Sequence, residues 1–509
     1  MGNLSTKVIS LMLACGIFLT GCGDASDKAA KSSIPGEKIL KVSETFALET
    51  LNAHKDYIGW YTSIYGVTET LFVMNDQAAI EPKLAESYKV DGKVWTIQLK
   101  NNITFSNGNV VTPEIVIKNL KDVAASNTRY AYLSEYEYTV VDDTTFTITT
   151  TENHPTLIND LASAEVAIID LDASGDMSND VIGTGPFVVS SFTPGGTVEV
   201  KKNVMYWDGD VKLDGAVFYY MPDADTSLMA MQNNELDTYS SVSADAKNIF
   251  ELTPDMFSVV TVPANRLQFC ILNENRLNDT VRKAINLTIN SKEMEAFLSG
   301  TVSTTDGPFK ASSAYGKVMR EAVNTEQAKA LLEQDGYSLN AEGYYEKDGK
   351  VLSLEIAYYA ARNLDTVATL IQEQLRRIGV NATLTAQEDP DSTYVATGEF
   401  DIALYCMISD KAGDPYEFIS ATLSKDGLYN CGGFSNAEVQ EKIEKMASEM
   451  DIKKRAELAN EIIQTAVDEN TFNYLAVFNR TTVMKKGVSN VSETSPYDYY
   501  FLTKDSDKN

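Results

Sequence analysis

From Lys38 onward, apolar and polar positions alternate in short stretches whose period switches repeatedly between that of a strand and that of a helix. Ile39-Leu40-Lys41-Val42 predicts an opening strand, and Trp60–Val73 places Ile64, Val67 and Leu71 on one helical face. Ala85–Val90 and Val94–Leu99 predict a hairpin around Asp91-Gly92, and Tyr138–Val141 with Thr145–Ile148 predict another around Asp142-Asp143. Thr112-Pro113-Glu114 combines a capping hydroxyl, a proline at the first helical position and an acid in the first turn, a strong helix start.

Beyond residue 260 helical periods dominate. Asp279 or Thr280 is expected to cap Val281–Leu287, Ser291 a helix ending at Gly300, and Thr325 the helix Glu326–Asp335. The clearest amphipathic stripe is Val367, Leu370, Ile371, Leu375 and Ile378 within Leu364–Ile378. Strands Ala382–Gln387 and Phe400–Cys406 follow it, so strand–helix–strand units and some parallel pairing are expected. Two more helices, near Asn436–Met450 and Lys453–Glu469, precede a last strand, Tyr474–Phe478. No long Pro- or Gly-rich linker interrupts the interior, so the domains that 509 residues imply must be joined by short crossings.

Charge and the N-terminus narrow the picture. A formal charge of -29 excludes nucleic acid as a partner and favours solubility outside the cell. Lys7 and the apolar run Val8–Leu19 have the form of a secretory signal, too short to span a bilayer as a folded protein's helix. Leu19-Thr20-Gly21-Cys22 is similar to a bacterial lipobox, which implies removal of residues 1–21, acyl chains on Cys22 and anchoring to the cell membrane. Residues 22–37 are small and polar, a tether. Cys270, Cys406 and Cys431 remain, odd in number and widely spaced, and buried free thiols are expected, although a Cys406–Cys431 bridge is open.

Enzyme chemistry is scarce. His54 and His154 are the only histidines and lie in unrelated segments; HExxH, GxSxG and a phosphate loop are missing. No catalytic residue, cofactor or protein-held metal is expected. Paired acids discriminate nothing in so acidic a chain.

Four ordered stretches carry a resemblance: Glu81–Tyr88 with Trp95–Lys100 and Phe105-Ser106-Asn107-Gly108; Gly183-Thr184-Gly185-Pro186-Phe187 through Asn203, Tyr206, Trp207 and Pro222 to Asp237; Leu272-Asn273 with Val281–Asn286; and Gly398–Ile402 with Gly413-Asp414-Pro415. Together they resemble the family 5 extracellular solute-binding proteins, which deliver oligopeptides, dipeptides or nickel complexes to ABC importers. The resemblance implies a two-lobed α/β periplasmic-binding-protein fold (type II, cluster C-like) with a small domain inserted in one lobe, closing by a hinge over its ligand. The expected organisation is a discontinuous lobe I (38–78, 183–262 and 478–503), an inserted domain (79–182) and lobe II (263–477). In itself, Gly183 to Pro186 reads as a tight crossing and Asn203, Tyr206 and Trp207 as a structural turn with buried aromatics.

Peptide-binding relatives carry an aspartate shortly before the Asp-Pro, where it pairs with the ligand's amine, and Asp410 stands there with one extra residue of spacing. Nickel-type relatives carry an Arg-x-Ala-aromatic segment matched by Arg129-Tyr130-Ala131-Tyr132, and a hinge-side helix matched near Trp60-Tyr61. Arginine would engage carboxylates of a chelator, or equally a peptide C-terminus, with the aromatics stacked around it. The candidate ligand-binding residues are therefore Asp410, Arg129, Tyr132, Trp60 and Tyr61. Tyr132 stands where the nickel type has tryptophan, and no histidine follows the Asp-Pro. Short oligopeptides are the expected ligand of a monomer that docks on ABC permease subunits. A nickel chelate is the alternative, and an extracellular peptidase or surface sensor the competing classes.

Overall fold

The computed structural model describes residues 36–509 apart from 241, 411, 498 and 499. Cys22, the signal segment and residues 22–35 of the tether lie outside the described residues. Among the described residues, no helix is long and apolar enough to cross a membrane.

One large mixed sheet organises the chain. Its strands run, edge to edge, Asn381–Gln387, Ser353–Tyr359, Ile402–Ile408, Phe257–Leu272, Phe472–Lys485, Thr238–Tyr239, Ile39–Glu44, Gly215–Tyr220, Val198–Lys202 and Phe187–Phe192. Pairing is parallel around Ser353–Tyr359, as the strand–helix–strand pattern predicts, and again between Ile39–Glu44 and Gly215–Tyr220. The two central strands are long and antiparallel, and their register shifts between Pro263 and Leu267. Proline cannot donate to the ladder, so the strands loosen and bend there. On one side of the shift Phe257–Pro263 pairs with Asn479–Lys485; on the other, Leu267–Ile271 pairs with Phe472–Val477.

Strand alternation sorts the cores. Leu267, Phe269 and Ile271 pack on one face with Phe418, Ile463 and Tyr474, while Cys270 and Leu272 face Ile285, Ile356 and Ile371. A separate antiparallel sheet, Ala85–Asp91, Val94–Leu99, Thr145–Thr149 and Glu137–Val140, packs against helix Pro113–Ser126 around Trp95, Leu120 and Phe146. Leu40, Phe187 and Phe218 centre a third core. Cys270, Cys406 and Cys431 are all free thiols, so no Cys406–Cys431 bridge forms.

Several local expectations shift. The helix expected over Trp60–Val73 spans only Ile58–Ile64. Gly66 ends it at φ +67°, where a Cβ would strike the Phe187 ring and the Leu502 carbonyl, and Phe72–Met74 turns into a strand. The first hairpin turns on Gly92-Lys93, one residue later than expected, because Asp91 pairs with Val94. Three helices are capped one residue earlier than read, by Asn278, Asn290 and Asn324, whose amide oxygens reach the free N–H groups. The strand expected over Tyr474–Phe478 extends over Phe472–Lys485.

Candidate functional site

Backbone close approach builds one wall of the site. Helix Ile58–Ile64 packs so tightly on the short turn Ala164–Val166 that a Cβ on Gly59 would lie 2.4 Å from the Ala164 carbonyl oxygen. Only glycine fits there, and it sets Trp60 beside Glu165. The turn Thr128–Glu135 brings in Arg129: Asn127 caps it by accepting from the Arg129 N–H at 3.2 Å and ties it to the same region by donating to the Asp56 carbonyl at 2.9 Å. Arg129 Nη1 meets Glu165 Oε1 at 3.3 Å, and the Tyr130 hydroxyl donates to Glu165 Oε2 at 3.4 Å.

The opposite wall is the end of strand Ile402–Ile408, the loop after it and helix Tyr416–Leu423. Asp414 is clamped by Arg455 Nη2, at 2.9 Å from each carboxylate oxygen, and accepts from the Tyr416 N–H at 2.8 Å. That pairing explains Gly413-Asp414-Pro415 as loop architecture. Between the walls lies a cavity of about 320 Å³, lined by Tyr57, Trp60, Arg129, Tyr130, Ser163 and Glu165 on one side and by Met407–Ser409, Ala412, Glu417 and Phe418 on the other. Asn159 bridges the two, donating from Nδ2 to the Ala412 carbonyl at 2.7 Å.

The five candidate residues separate here. Trp60 and Arg129 line the cavity together. Asp410 sits between two lining residues, Ser409 and Ala412, but its carboxylate is 1% exposed and accepts from Tyr497 at 3.0 Å and Tyr315 at 3.3 Å. Burial pushes its pKa up to about 6, against the hydrogen bonds of Asn265, Tyr497 and Tyr315. Tyr61 stacks on Phe46, ring centroids 5.5 Å apart, and packs against the core under the helix. Tyr132 donates to Asp160 at 2.7 Å and packs on His154 and Tyr136; burial, then the Asp160 charge, raise its pKa. Neither is in the cavity wall.

Glu165, Tyr315 and Tyr497 escaped sequence reasoning. For Glu165 one signal existed: it is the single charge between Asp160 and Asp170, in the run Leu161–Ile169. Tyr206 and Trp207 donate to buried Glu69 at 2.6 and 3.0 Å, and Asn203 Nδ2 donates to the Gly185 carbonyl at 3.0 Å, so that motif is a structural turn. Glu69 and Tyr206 border a second cavity of about 430 Å³, in which Lys83 and Lys504 are paired with Glu69 and Asp208.

Residues 79–430 match the bacterial extracellular solute-binding proteins, family 5 Middle. The chain belongs to that family. Among similar family 5 proteins, the nickel-binding protein NikA of Staphylococcus aureus is 24% identical over 503 residues, spanning 97% of this chain and 98% of NikA. The dipeptide-binding protein DppE of Bacillus subtilis is 23% identical over 556 residues, 98% of each chain. The solved nickel ABC transporter from Bacillus halodurans superposes with a TM-score of 0.86 at 26% identity, covering 92% of this chain and 100% of that one. The architecture is thus the two-lobed one of this family, and the chain is an extracytoplasmic solute-binding protein.

Proposed function

We propose that this family 5 protein captures a short peptide between Trp60 and Arg129 on one wall and Met407–Phe418 on the other, and hands it unaltered to the permease of an ABC importer. The observation that carries the reading is Arg129: its side chain is 50% exposed, opens on an aromatic-walled cavity and leaves most of its donors for a carboxylate. At about 320 Å³ the cavity is at the small end of ligand pockets, roughly 300–1,000 Å³, which favours a short ligand. Two carboxylates stand in the wall, Glu165 and Glu417, while Asp410 is buried and does not line the cavity. Tyr61 and Tyr132 support this site from behind, through Phe46 and Asp160. A monomer anchored through acyl chains on Cys22 would present the open cleft outside the membrane.

The names of NikA and of the Bacillus halodurans protein favour a second reading, a nickel chelate whose organic carboxylates meet Arg129. Among the described residues no group of three or more His, Cys, Asp or Glu side chains could hold an ion, so the protein would touch the chelator and leave the metal to it. Native mass spectrometry of protein extracted from membranes distinguishes these readings. The expected spectrum carries a peptide mass and the acyl mass on Cys22. A nickel-containing adduct would overturn the peptide reading, and an unacylated Cys22 the anchor.

A further inference from the structure

A buried carboxylate in a ligand cavity demands full pairing, and Glu165 does not have it. The residue is 7% exposed, yet its two side-chain hydrogen bonds among the described residues, 3.3 Å to Arg129 and 3.4 Å to the Tyr130 hydroxyl, are both long. Charge-assisted hydrogen bonds settle at about 2.7–2.9 Å, and a carboxylate offers about four acceptor sites. Unused acceptor capacity of Glu165 therefore borders the cavity that it lines.

Asp410 offers a weaker receptor. Its Oδ1 lacks a partner among the described residues, but the residue is 1% exposed and does not line the cavity, and its Oδ2 already accepts from two tyrosines. An ammonium reaching it would have to part the loop from the cavity wall, whereas one reaching Glu165 enters the cavity alone.

The geometry points to Glu165 as the acceptor of the ligand's ammonium group, with Arg129 taking the carboxylate; this rests on the peptide reading above. Glu165 and Arg129 neutralise each other across 3.3 Å, so neither is a lone charge at the wall. A dipeptide carries the complementary pair. Its entry replaces one long ion pair with two, and both charges stay matched as the walls exclude water.

The test is competitive native mass spectrometry with a dipeptide pool of mixed side chains and its N-acetylated copy. It is run on the wild type, Glu165→Gln and Asp410→Asn. The wild type is expected to prefer free amines by about 10- to 100-fold, the worth of a hydrogen bond to a charged group. Glu165→Gln should abolish that preference while Asp410→Asn keeps it. Because the readout is a ratio within each variant, a general loss of stability does not mimic it. If Glu165→Gln keeps the preference, or Asp410→Asn alone loses it, the assignment to Glu165 is overturned and peptide capture stands. If the wild type retains neither pool, peptide capture fails, and the assignment with it.

Discussion

Asp410 is the residue whose chemistry most depends on the fold around it. Its pKa rises from 3.8 to about 6 because burial removes the water that would solvate its charge. Between those values the folded protein keeps a proton that the unfolded chain has released, so stability falls as pH rises through the window. The change amounts to about 3 kcal/mol and is complete above the folded value. Asp410→Asn keeps an acceptor for Tyr315 and Tyr497 and should remove that slope. Urea unfolding of both proteins between pH 4 and 7 reads it directly, and an unchanged slope would mean that Asp410 is not the group responsible. Residue-scale legibility was uneven for a physical reason. The Tyr206-Trp207 turn announces itself by composition, but Glu69, which takes hydrogen bonds from Tyr206, Trp207 and Thr184, is identifiable only once the chain has folded. Glu165 is likewise 36 positions from Arg129, and no local period connects them.

Elements were legible where their signal is local. Leu364–Arg377 matches its apolar stripe to within one residue, since burial of that stripe needs only helical geometry. Helix Ile58–Ile64 was over-extended because the force that ends it is distant: Phe187 and Leu502 crowd Gly66. The strand Phe472–Lys485 was cut short at its polar stretch Asn479–Thr482, which is held by pairing with Thr261–Pro263 and Val260. The caps sit one position ahead of the hydroxyl residues that the local pattern favours, and Asn290 offers a test. Asn290 accepts from the N–H groups of Lys292 and Glu293 at 3.1 and 3.4 Å, whereas Ser291 Oγ is buried with no partner among the described residues. Asn290→Ala should therefore cost about 1 kcal/mol. Ser291→Ala removes an unsatisfied hydroxyl and should be neutral or stabilising by up to about 1 kcal/mol. Urea midpoints that both fall would return the cap to Ser291.

At the scale of the whole molecule, the loop that follows strand Ile402–Ile408 closes on a distant segment at a point that only a glycine allows. Gly413 has φ +76°, and a Cβ there would lie 2.5 Å from the Ala78 carbonyl oxygen and 3.0 Å from Met74 Sδ. The carbonyl belongs to the backbone and cannot swing aside, so Gly413→Ala must push Ala412-Gly413 away from Ala78. It also strains the Asn159–Ala412 hydrogen bond that spans the cavity beside it. Ala78 and Met74 pack with the core that holds Phe269 and Phe418, so unchanged circular dichroism is the check that this core survives the substitution. Overpacking of this kind costs about 1–3 kcal/mol, and here that cost falls on the arrangement in which the walls meet. Peptide affinity should drop by about 10-fold or more, and small-angle scattering should show less compaction on adding the dipeptide pool than the wild type shows. Equal affinity and equal compaction in Gly413→Ala would mean that the close approach of Gly413 to Ala78 plays no part in holding the ligand.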